Sequence, residues 1–347
     1  MTRKRVNRKT KCGGKRTRYA VSLSPRSFNP IGYHLLTNNL INRQKTMKIK
    51  QMMIMAAAVC MGMVQTACTA QAAATDAPKE KKEICVQLYS VRDLLSKPDS
   101  LEPIVKQLAA MGYTSVEAAN YGDGKFYGRT PQEFKALIEK YGMEVLSSHV
   151  GHGLSAEELA SGNVEESLKW WDQTIADHKA AGMKYIVMPW MDVPKTLKDM
   201  QTYCDYFNEI GRRCQAAGMK FGYHNHAHEF QKIEDKEVMY DYMLQHTDPA
   251  LVFFEMDVYW VVRGQAAPVE YFKKYPGRFR LLHIKDEMEI GQSGMVGFDA
   301  IFRNAQTAGV EGIVVEVERY SMPVIESVKQ SVDYLLEAPF VPVTYGK

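Results

Sequence analysis

The sequence predicts a (β/α)8 barrel that runs from about residue 84 to residue 338. Short apolar stretches with the character of buried strands alternate regularly with amphipathic helical stretches, and eight of each can be counted. In most repeats a glycine closes the helix and leads directly into the next strand, as at residues 181–183. The alternating region is also close to the ~250 residues that such a barrel takes. These observations together predict one domain with a closed parallel sheet.

The eight repeats follow one another in order along the chain. Strands are expected at 84–90, 115–119, 144–149, 185–189, 221–225, 251–257, 281–284 and 312–317, and helices at 101–111, 131–141, 164–181, 197–217, 236–245, 269–275, 298–308 and 324–337. The second helix shows the local signals clearly, with Thr130 as its cap, Pro131 in its first turn and Gly142 after its end. An open doubly wound sheet is the alternative, but the first βα loop has no glycine-rich segment that could hold a dinucleotide. The TIM barrel is therefore the expected fold.

The segments that precede the barrel have a different composition. Residues 1–46 contain twelve Lys or Arg and no acidic residue, and we interpret them as a disordered basic leader or an over-long start with Met47 as the initiator. Residues 47–72 resemble an export signal, because a basic start precedes a 13-residue apolar run that is too short to span a bilayer. Residues 73–83 are interpreted as a linker, and residues 339–347 as a C-terminal tail.

Two fates of the export signal remain open. Ala70-Gln71-Ala72 fits a small-x-small cleavage site, whereas Thr66-Ala67-Cys68 resembles a loose lipoprotein box in which Cys68 would be acylated. Both predict an exported protein that is periplasmic or anchored by lipid to the cell envelope, with Cys68 as its only expected membrane attachment. A homo-oligomer is left open.

The charge distribution argues against a nucleic-acid partner for the barrel. Residues 79–347 carry 30 basic and 39 acidic residues, although the whole chain has a net charge of +4. A body with this acidic excess is a poor binder of phosphate backbones. A nucleic-acid-binding tail at residues 1–46 is the alternative interpretation of the basic segment.

Metal-binding side chains recur where the predicted strands end. His224 and His226 share one face of the fifth strand, because successive strand side chains alternate between faces. Asp257, His283 and Glu316 follow at the ends of the next three strands. The C-terminal ends of barrel strands surround the mouth of the active site, so we expect these groups to meet there. Imidazole and carboxylate ligands suit a divalent metal ion.

These segments resemble the xylose isomerase-like barrels, also called the sugar phosphate isomerase/epimerase superfamily. The resemblance covers about residues 84–336 and is carried by Val86-Gln87-Leu88-Tyr89-Ser90-Val91-Arg92-Asp93, Ser147-Ser148-His149, Tyr223-His224-Asn225-His226, Met256-Asp257, His283-Ile284-Lys285-Asp286 and Val314-Val315-Glu316. By this resemblance, His224, Asp257, His283 and Glu316 are the ligands of one divalent ion, which would be Mn, Zn, Mg or Co.

The chain departs from the family pattern at two places. Many epimerases of the family carry a glutamate where His224 stands and use it with the glutamate of strand eight as an acid/base pair. That pair is broken here, and the dehydratases of inositol derivatives are more similar because they too have a histidine-rich strand five. The aspartate of strand six is commonly followed by Gly-His, whereas this chain has Val258-Tyr259-Trp260.

A site of this type predicts proton abstraction next to a carbonyl through an enediolate. The candidate acid/base groups are Glu316, His149 and Lys285, and Lys285 could instead be an electrostatic anchor. The candidate substrate-binding residues are Glu117, His226, Trp190, Trp260 and Glu318; a structural ion pair for Glu117 and core packing for the tryptophans are the alternatives. His152, His228 and Glu229 are expected in loops that line or gate the mouth.

The sequence therefore predicts a metal-dependent sugar isomerase or epimerase. Export favours an unphosphorylated sugar or keto-sugar, because sugar phosphates are cytoplasmic metabolites and no arginine or glycine cluster resembles a phosphate clamp. The alternative is a lyase that performs β-elimination on 3-keto-glycosides. A non-catalytic sugar-binding protein and an abasic-site endonuclease are the further alternatives, although the endonuclease would need a basic face.

Overall fold

Eight short apolar segments pair into one parallel sheet in the computed structural model, which describes residues 81–97 and 99–346. The strands are β1 (Cys85–Gln87), β2 (Ser115–Ala118), β3 (Glu144–Ser148), β4 (Tyr185–Met188), β5 (Lys220–His224), β6 (Val252–Asp257), β7 (Leu281–Ile284) and β8 (Gly312–Val315). Their order across the sheet is β3-β2-β1-β8-β7-β6-β5-β4. The predictions for the leader, the export signal and Cys68 lie outside the described residues.

The two edge strands of this sheet meet and close the barrel. His149, one residue beyond β3, forms a parallel bridge with Val187 of β4. The amide of Val150 donates to the carbonyl of Val187 at 3.0 Å, and the amide of Lys184 donates to the carbonyl of Leu146 at 3.0 Å. The prediction of a (β/α)8 barrel is confirmed, and we refer to this junction as the β3–β4 seam.

Helices surround the sheet and connect its strands. They are α1 (Leu101–Met111), α2 (Pro131–Lys140), α3 (Ala156–Ser161), α4 (Glu165–Ala180), α5 (Leu197–Ala216), α6 (Met239–His246), α7 (Val258–Arg263), α8 (Pro268–Lys274), α9 (Phe298–Arg303), α10 (Ala305–Ala308) and α11 (Val324–Glu337). Thr130 and Glu133 form the expected capping box at the start of α2. Gly112 ends α1 with a φ of 112°, a conformation that a residue with a Cβ rarely adopts.

The observed elements differ from the predicted ones mainly near the mouth. The first strand ends at Gln87 rather than at residue 90, because the Gln87 side chain accepts from the amide of Tyr89 and starts a 3-10 helix at Leu88–Leu94. The helices α3 and α7 were not predicted. Asp257 caps α7 by accepting from the amide of Trp260 at 2.9 Å, so the apolar run after β6 turns into a helix instead of a loop.

The barrel interior is apolar below the mouth and polar at its base. Tyr185, Val187, Phe253 and Leu281 form a separate apolar cluster inside the sheet. Gly222 lies beside this cluster, and a Cβ at that position would come within 2.5 Å of the Phe253 ring. At the base, Glu311 accepts from the Tyr185 hydroxyl at 2.6 Å and from Lys220 at 2.7 Å. Within the described residues, no helix has the length and apolar character needed to cross a membrane.

Candidate active site

The ends of β5 to β8 bring together the four residues that the sequence suggests as metal ligands, which we call the outer group: His224, Asp257, His283 and Glu316. Asp257 Oδ2 lies 3.3 Å from His283 Nδ1 and 3.5 Å from His224 Nε2. Glu316 Oε2 lies 3.9 Å from His283 Nδ1. Ligand atoms arranged tetrahedrally about 2.1 Å from one ion are about 3.4 Å apart, so this spacing suits a shared ion.

Hydrogen bonds from a neighbouring side chain to its backbone orient the aspartate of the outer group. Asn225 accepts from the amide of Asp257 at 3.1 Å and donates to the Asp257 carbonyl at 3.3 Å, which ties the end of β5 to the end of β6. Because Oδ1 of Asp257 caps α7, Oδ2 is the oxygen that faces the histidines. The carboxylate is therefore held by its own helix and by the neighbouring strand.

Burial sets the charge of the outer group. It lowers the pKa of His224 to about 4 and that of His283 to about 4, so both rings are neutral at neutral pH. Burial alone would raise the pKa of Asp257, but the adjacent imidazoles of His224 and His283 outweigh it and hold that pKa below its ordinary value. Neutral imidazoles and an ionised carboxylate are the forms that bind metal ions.

A second cluster, the inner group, consists of His149, Glu117 and Glu255. His149 Nε2 lies 2.7 Å from Glu255 Oε2 and 3.0 Å from Glu117 Oε1. Glu117 also accepts from Gln87 at 2.7 Å and from the Ser147 hydroxyl at 2.5 Å. The contact between His149 and Glu255 is a hydrogen bond, and both distances are shorter than the separation expected of two ligands on one ion. The described residues nevertheless include a second set of potential ligands that spans both groups, namely His149, His224, Glu255 and His283.

The two carboxyl groups of the inner group are too close and too deeply buried for both to be ionised at neutral pH. Burial, and then the nearby charge of Glu255, raises the pKa of Glu117 to about 8. Burial, and then the charge of Asp257, raises the pKa of Glu255 well above its ordinary value. At neutral pH these carboxyl groups therefore retain protons that His149 can share.

Glu255 was missed by sequence reasoning, which took Asp257 from this strand and did not consider the residue two positions before it. It lies two residues before Asp257 on β6, so strand alternation directs both side chains to the barrel interior. That alternation is the signal that could have identified it.

Lys285 lies between the two glutamates that follow β8. Its Nζ donates to Glu316 Oε2 at 2.8 Å and to Glu318 Oε2 at 2.6 Å. Burial alone would lower its pKa, but the charges of Glu316, Asp257 and Glu318 outweigh it and raise that pKa above the ordinary value. Lys285 is thus a buried ammonium group, which can donate a hydrogen bond but has no free site for a proton.

A cavity of about 710 Å³ opens beside these groups, and four of the predicted substrate-binding residues line it: Trp190, His226, Trp260 and Glu318. The fifth, Glu117, is fully buried in the inner group. Burial lowers the pKa of His226 to about 3, so this ring is neutral.

The loop residues at the mouth differ in their surroundings. His228 lines the cavity as expected. Glu229 does not, because it is fully buried and accepts from the Tyr223 hydroxyl at 2.8 Å and from the amide of His226 at 2.8 Å. His152 packs against Trp170, with the ring centroids 4.8 Å apart. The expectation that all three residues line the mouth is therefore wrong for Glu229, which supports the loop from below.

Comparison with known proteins assigns the fold to a family. The family model described as the xylose isomerase-like TIM barrel matches residues 105–338, which is most of the chain. This protein belongs to the xylose isomerase-like TIM barrel family. The match includes every residue of the outer group and both glutamates of the inner group.

Solved structures of the family include a similar protein of nearly the same extent. The crystal structure of a sugar phosphate isomerase/epimerase from Parabacteroides distasonis is 36% identical, with a TM-score of 0.68, and the alignment covers 75% of this chain and 100% of that one. The zinc-bound IolI protein is 14% identical with a TM-score of 0.58 and covers 76% of this chain, a likeness in fold alone.

Among curated relatives, an inosose dehydratase from Geobacillus kaustophilus is 26% identical over 204 residues. The match covers 53% of this chain and 61% of that enzyme, so it spans less than two thirds of the relative's length. The proteins similar to this xylose isomerase-like barrel thus include both an isomerase/epimerase and a dehydratase by name.

Proposed function

We propose that this protein is a divalent-metal-dependent enzyme that removes the proton next to the carbonyl of an unphosphorylated sugar or keto-sugar, and that it acts as an isomerase or epimerase. The observation that carries the proposal is the outer group, in which two neutral imidazoles and an ionised carboxylate converge beside a buried ammonium group. Membership of a family with sugar isomerase and epimerase neighbours supports it.

The residues of the outer group fit a metal ion. The Nε2 atom of His224 is buried, lies 3.5 Å from Asp257 Oδ2 and has no hydrogen-bond partner among the described residues. Buried polar atoms without partners are costly, and a bound cation would satisfy them. His224, Asp257, His283 and Glu316 would hold the ion, which would be Mn, Zn, Mg or Co. Once bound, the ion would polarise a carbonyl and stabilise negative charge on vicinal oxygens.

The acid/base work then falls to His149 and Glu316, with Lys285 as the electrostatic anchor. The His149 ring centroid lies 4.8 Å from that of His224 and 5.3 Å from that of His283, so a sugar bound at the outer group is within its reach. The glutamates of the inner group orient His149 and exchange its proton. Lys285 can donate a hydrogen bond to a substrate oxygen while holding Glu316 and Glu318 in place. Proton return to the neighbouring carbon gives an isomer, and return to the opposite face gives an epimer.

A lyase is the second candidate, and the named inosose dehydratases support it. A dehydratase removes water by elimination, which begins with the same proton abstraction and ends when the group on the adjacent carbon leaves. For this chain the corresponding reaction would be β-elimination on a 3-keto-glycoside. The histidine at position 224, where many epimerases have a glutamate, favours this outcome over epimerisation.

Export remains part of the proposal and supports the choice of an unphosphorylated substrate. The segment at 47–72 has the composition of an export signal, and Cys68 would provide a lipid anchor if it is acylated.

Exchange in deuterated water tests the reaction class. The metal-loaded enzyme, incubated with a panel of sugars and 3-keto-glycosides, should introduce deuterium next to the carbonyl. An isomerase or epimerase yields a product of unchanged mass apart from the label, whereas a lyase releases an aglycone and leaves an unsaturated keto-sugar. Neither label nor mass change across the panel would contradict the proposal.

Metal content tests the ligand set without any substrate. The purified protein should carry close to one divalent ion per chain, and His283→Ala should lose most of it. His246→Ala is the matched control, because that histidine lies on α6, where its Nδ1 contacts the Tyr242 carbonyl at 2.9 Å. Full occupancy in His283→Ala would remove this histidine from the ligand set.

A further inference from the structure

We infer that the substrate is a glycoside, and that the ring remote from the reaction binds between Trp190 and Trp260 in the cavity beside the outer group. The inference rests on the proposed function, because that function requires the reacting sugar to lie at the outer group. It adds a second subsite to the reaction site. This subsite defines the substrate class as a sugar linked to another ring.

Trp190 is the first observation. It follows β4 at the barrel mouth and is 50% exposed, so core packing does not account for it. Its ring lies 4.2 Å from the His228 ring and 4.8 Å from the His226 ring, between centroids. His228 is fixed in turn by a contact of 2.9 Å between its Nε2 and the Met191 carbonyl. An exposed indole supported by ordered side chains is a ready-made stacking surface.

Trp260 links this surface to the reacting groups. On one side, the Trp260 ring centroid lies 5.5 Å from that of His226. On the other side, it lies 5.7 Å from Lys285 Nζ. Glu318 also contacts both regions, because it lines the cavity and accepts a hydrogen bond from Lys285 at 2.6 Å. The cavity is therefore a continuation of the reaction site, and a molecule held at the outer group can extend past Trp260 into it.

The size of the cavity exceeds what one sugar needs. Its volume of about 710 Å³ lies within the roughly 300–1,000 Å³ that accommodates drug-sized ligands. A monosaccharide bound at the outer group would leave this space filled only with water. A second ring would instead bury its face against the tryptophans.

The lining also indicates a neutral ring. Arg263 lines the cavity, but its guanidinium is bound to the Tyr259 hydroxyl at 3.1 Å and to Glu287 at 3.2 Å. A ring with an apolar or π face fits these surroundings better than an anionic group, whether it is an aromatic aglycone or a second sugar.

Calorimetry with non-reacting probes tests the subsite. The metal-loaded protein is titrated with methyl β-glucoside, phenyl β-glucoside and cellobiose. We expect at least one of the two larger probes to bind about fivefold to tenfold more tightly than the methyl glycoside, which is the size of effect that stacking gives. A gain with the phenyl probe indicates an aromatic aglycone, and a gain with cellobiose a second sugar.

Variants distinguish stacking on Trp190 from general effects of a substitution on probe binding. Trp190→Ala should abolish the gain of the larger probes over methyl glucoside, while Trp190→Phe should keep most of the gain because it keeps a ring. Tyr89→Ala is the matched control and should keep the full gain, since Tyr89 is 41% exposed and does not line the cavity.

Equal binding of the three probes, or no binding of any of them, would overturn the inference, as would an undiminished gain in Trp190→Ala. Deuterium exchange on the same preparations reports the proposed function separately. If deuterium is incorporated and substrates with two rings exchange no faster than single sugars, this inference alone is overturned. If no sugar incorporates deuterium, the proposed function is overturned.

Discussion

His149 has the most constrained surroundings of any residue in the site. Its Nε2 lies within hydrogen-bonding distance of both Glu255 and Glu117, although one ring nitrogen can donate only one proton. Nε2 can therefore make a full hydrogen bond to only one carboxyl group at a time, and the raised pKa of each glutamate indicates that the carboxyl groups retain a proton of their own. The three side chains form one hydrogen-bonded unit whose protonation is collective.

A double-mutant cycle tests that unit. We predict that His149→Asn and Glu255→Gln each lower kcat by about 10² to 10⁴, the usual cost of a lost acid or base, while the protein keeps its metal ion. Because both residues serve the same proton transfer, the double variant should be little worse than the more impaired single variant.

Steady-state kinetics and metal analysis on the same samples provide the measurement, with the surface variant Glu139→Gln as control. Effects that multiply in the double variant would show that the residues act independently. Loss of the ion in Glu255→Gln would show that Glu255 is a ligand rather than a partner of His149.

The strand ends that carry the outer group could be found from the sequence because each one closes an apolar strand, but the choice of these four residues over His226 and Glu318 came from the family resemblance. Glu229 could not be placed from sequence, because a glutamate in a polar loop is normally solvated. Here the Tyr223 hydroxyl and a backbone amide replace the water. Such compensation depends on residues that meet only in the folded chain.

Among the strands, β5 carries the glycine that most limits substitution. A Cβ at Gly222 would lie 2.5 Å from the Phe253 ring, inside the apolar cluster of the barrel. We predict that Gly222→Ala lowers the free energy of unfolding by about 1–3 kcal/mol through overpacking. Urea unfolding measures the change, and Gly122→Ala is the matched control because nothing lies within 4 Å of its added methyl group. Equal stability of the two variants would mean that the Phe253 ring can move aside at no cost.

The helix α4 carries a buried histidine that makes stability depend on pH. His178 packs against the rings of Tyr121 and Phe126, with centroids 4.7 Å and 4.9 Å away. Burial lowers its pKa to about 4, whereas in the unfolded chain it titrates near the ordinary 6.5. The unfolded state therefore binds the proton first as the pH falls, so the stabilisation is complete above pH 6.5 and is lost as the pH falls toward 4.

We predict that His178→Gln reduces this acid sensitivity. The change in unfolding free energy between pH 7.5 and pH 5 should be smaller in the variant than in the parent by about 2 kcal/mol. Denaturant unfolding of the parent and the variant at the two pH values gives the four unfolding free energies required. An identical pH dependence in parent and variant would show that His178 stays neutral in both states or gains a partner on protonation.

The helices and strands were predictable to the extent that their signals are local. The capping box of α2 and the glycine after α1 stand in the sequence itself. The helix α7 was missed because its capping group is Asp257, which sequence reasoning had already assigned to the metal site. The helix expected at 298–308 is divided at Asn304 into α9 and α10. Nothing in the apolar pattern distinguishes one continuous helix from two short ones.

For the whole molecule, the barrel should fold without the segments that precede it. All eight strands lie between Cys85 and Val315, and the sheet closes on itself. We predict that a chain beginning at Ala77 shows one cooperative thermal transition and binds metal as the full chain does. Calorimetry and metal analysis of both proteins make the comparison. Aggregation of the shorter chain, or a broad transition, would show that residues 1–76 contribute to the fold.

The number of repeats could be read from the sequence because every repeat carries its own apolar strand and most carry their own helix stop. The identity of the sugar could not, since it depends on the shape of a cavity that several separate loops build together. Trp190, His228 and Trp260 come from three different connections, and only folding makes them neighbours.

The β3–β4 seam is where the barrel wall closes, and we expect these two strands to separate more easily than the other neighbouring strands. The bridge that closes it belongs to His149, so the backbone that completes the wall also carries the side chain that exchanges a proton. A transient parting of these two strands would withdraw the imidazole from its glutamates long before the rest of the chain lost structure. The equilibrium between the closed and the open seam, readable from hydrogen exchange at the amide of Val150, therefore sets an upper limit on the fraction of molecules competent to react at any moment.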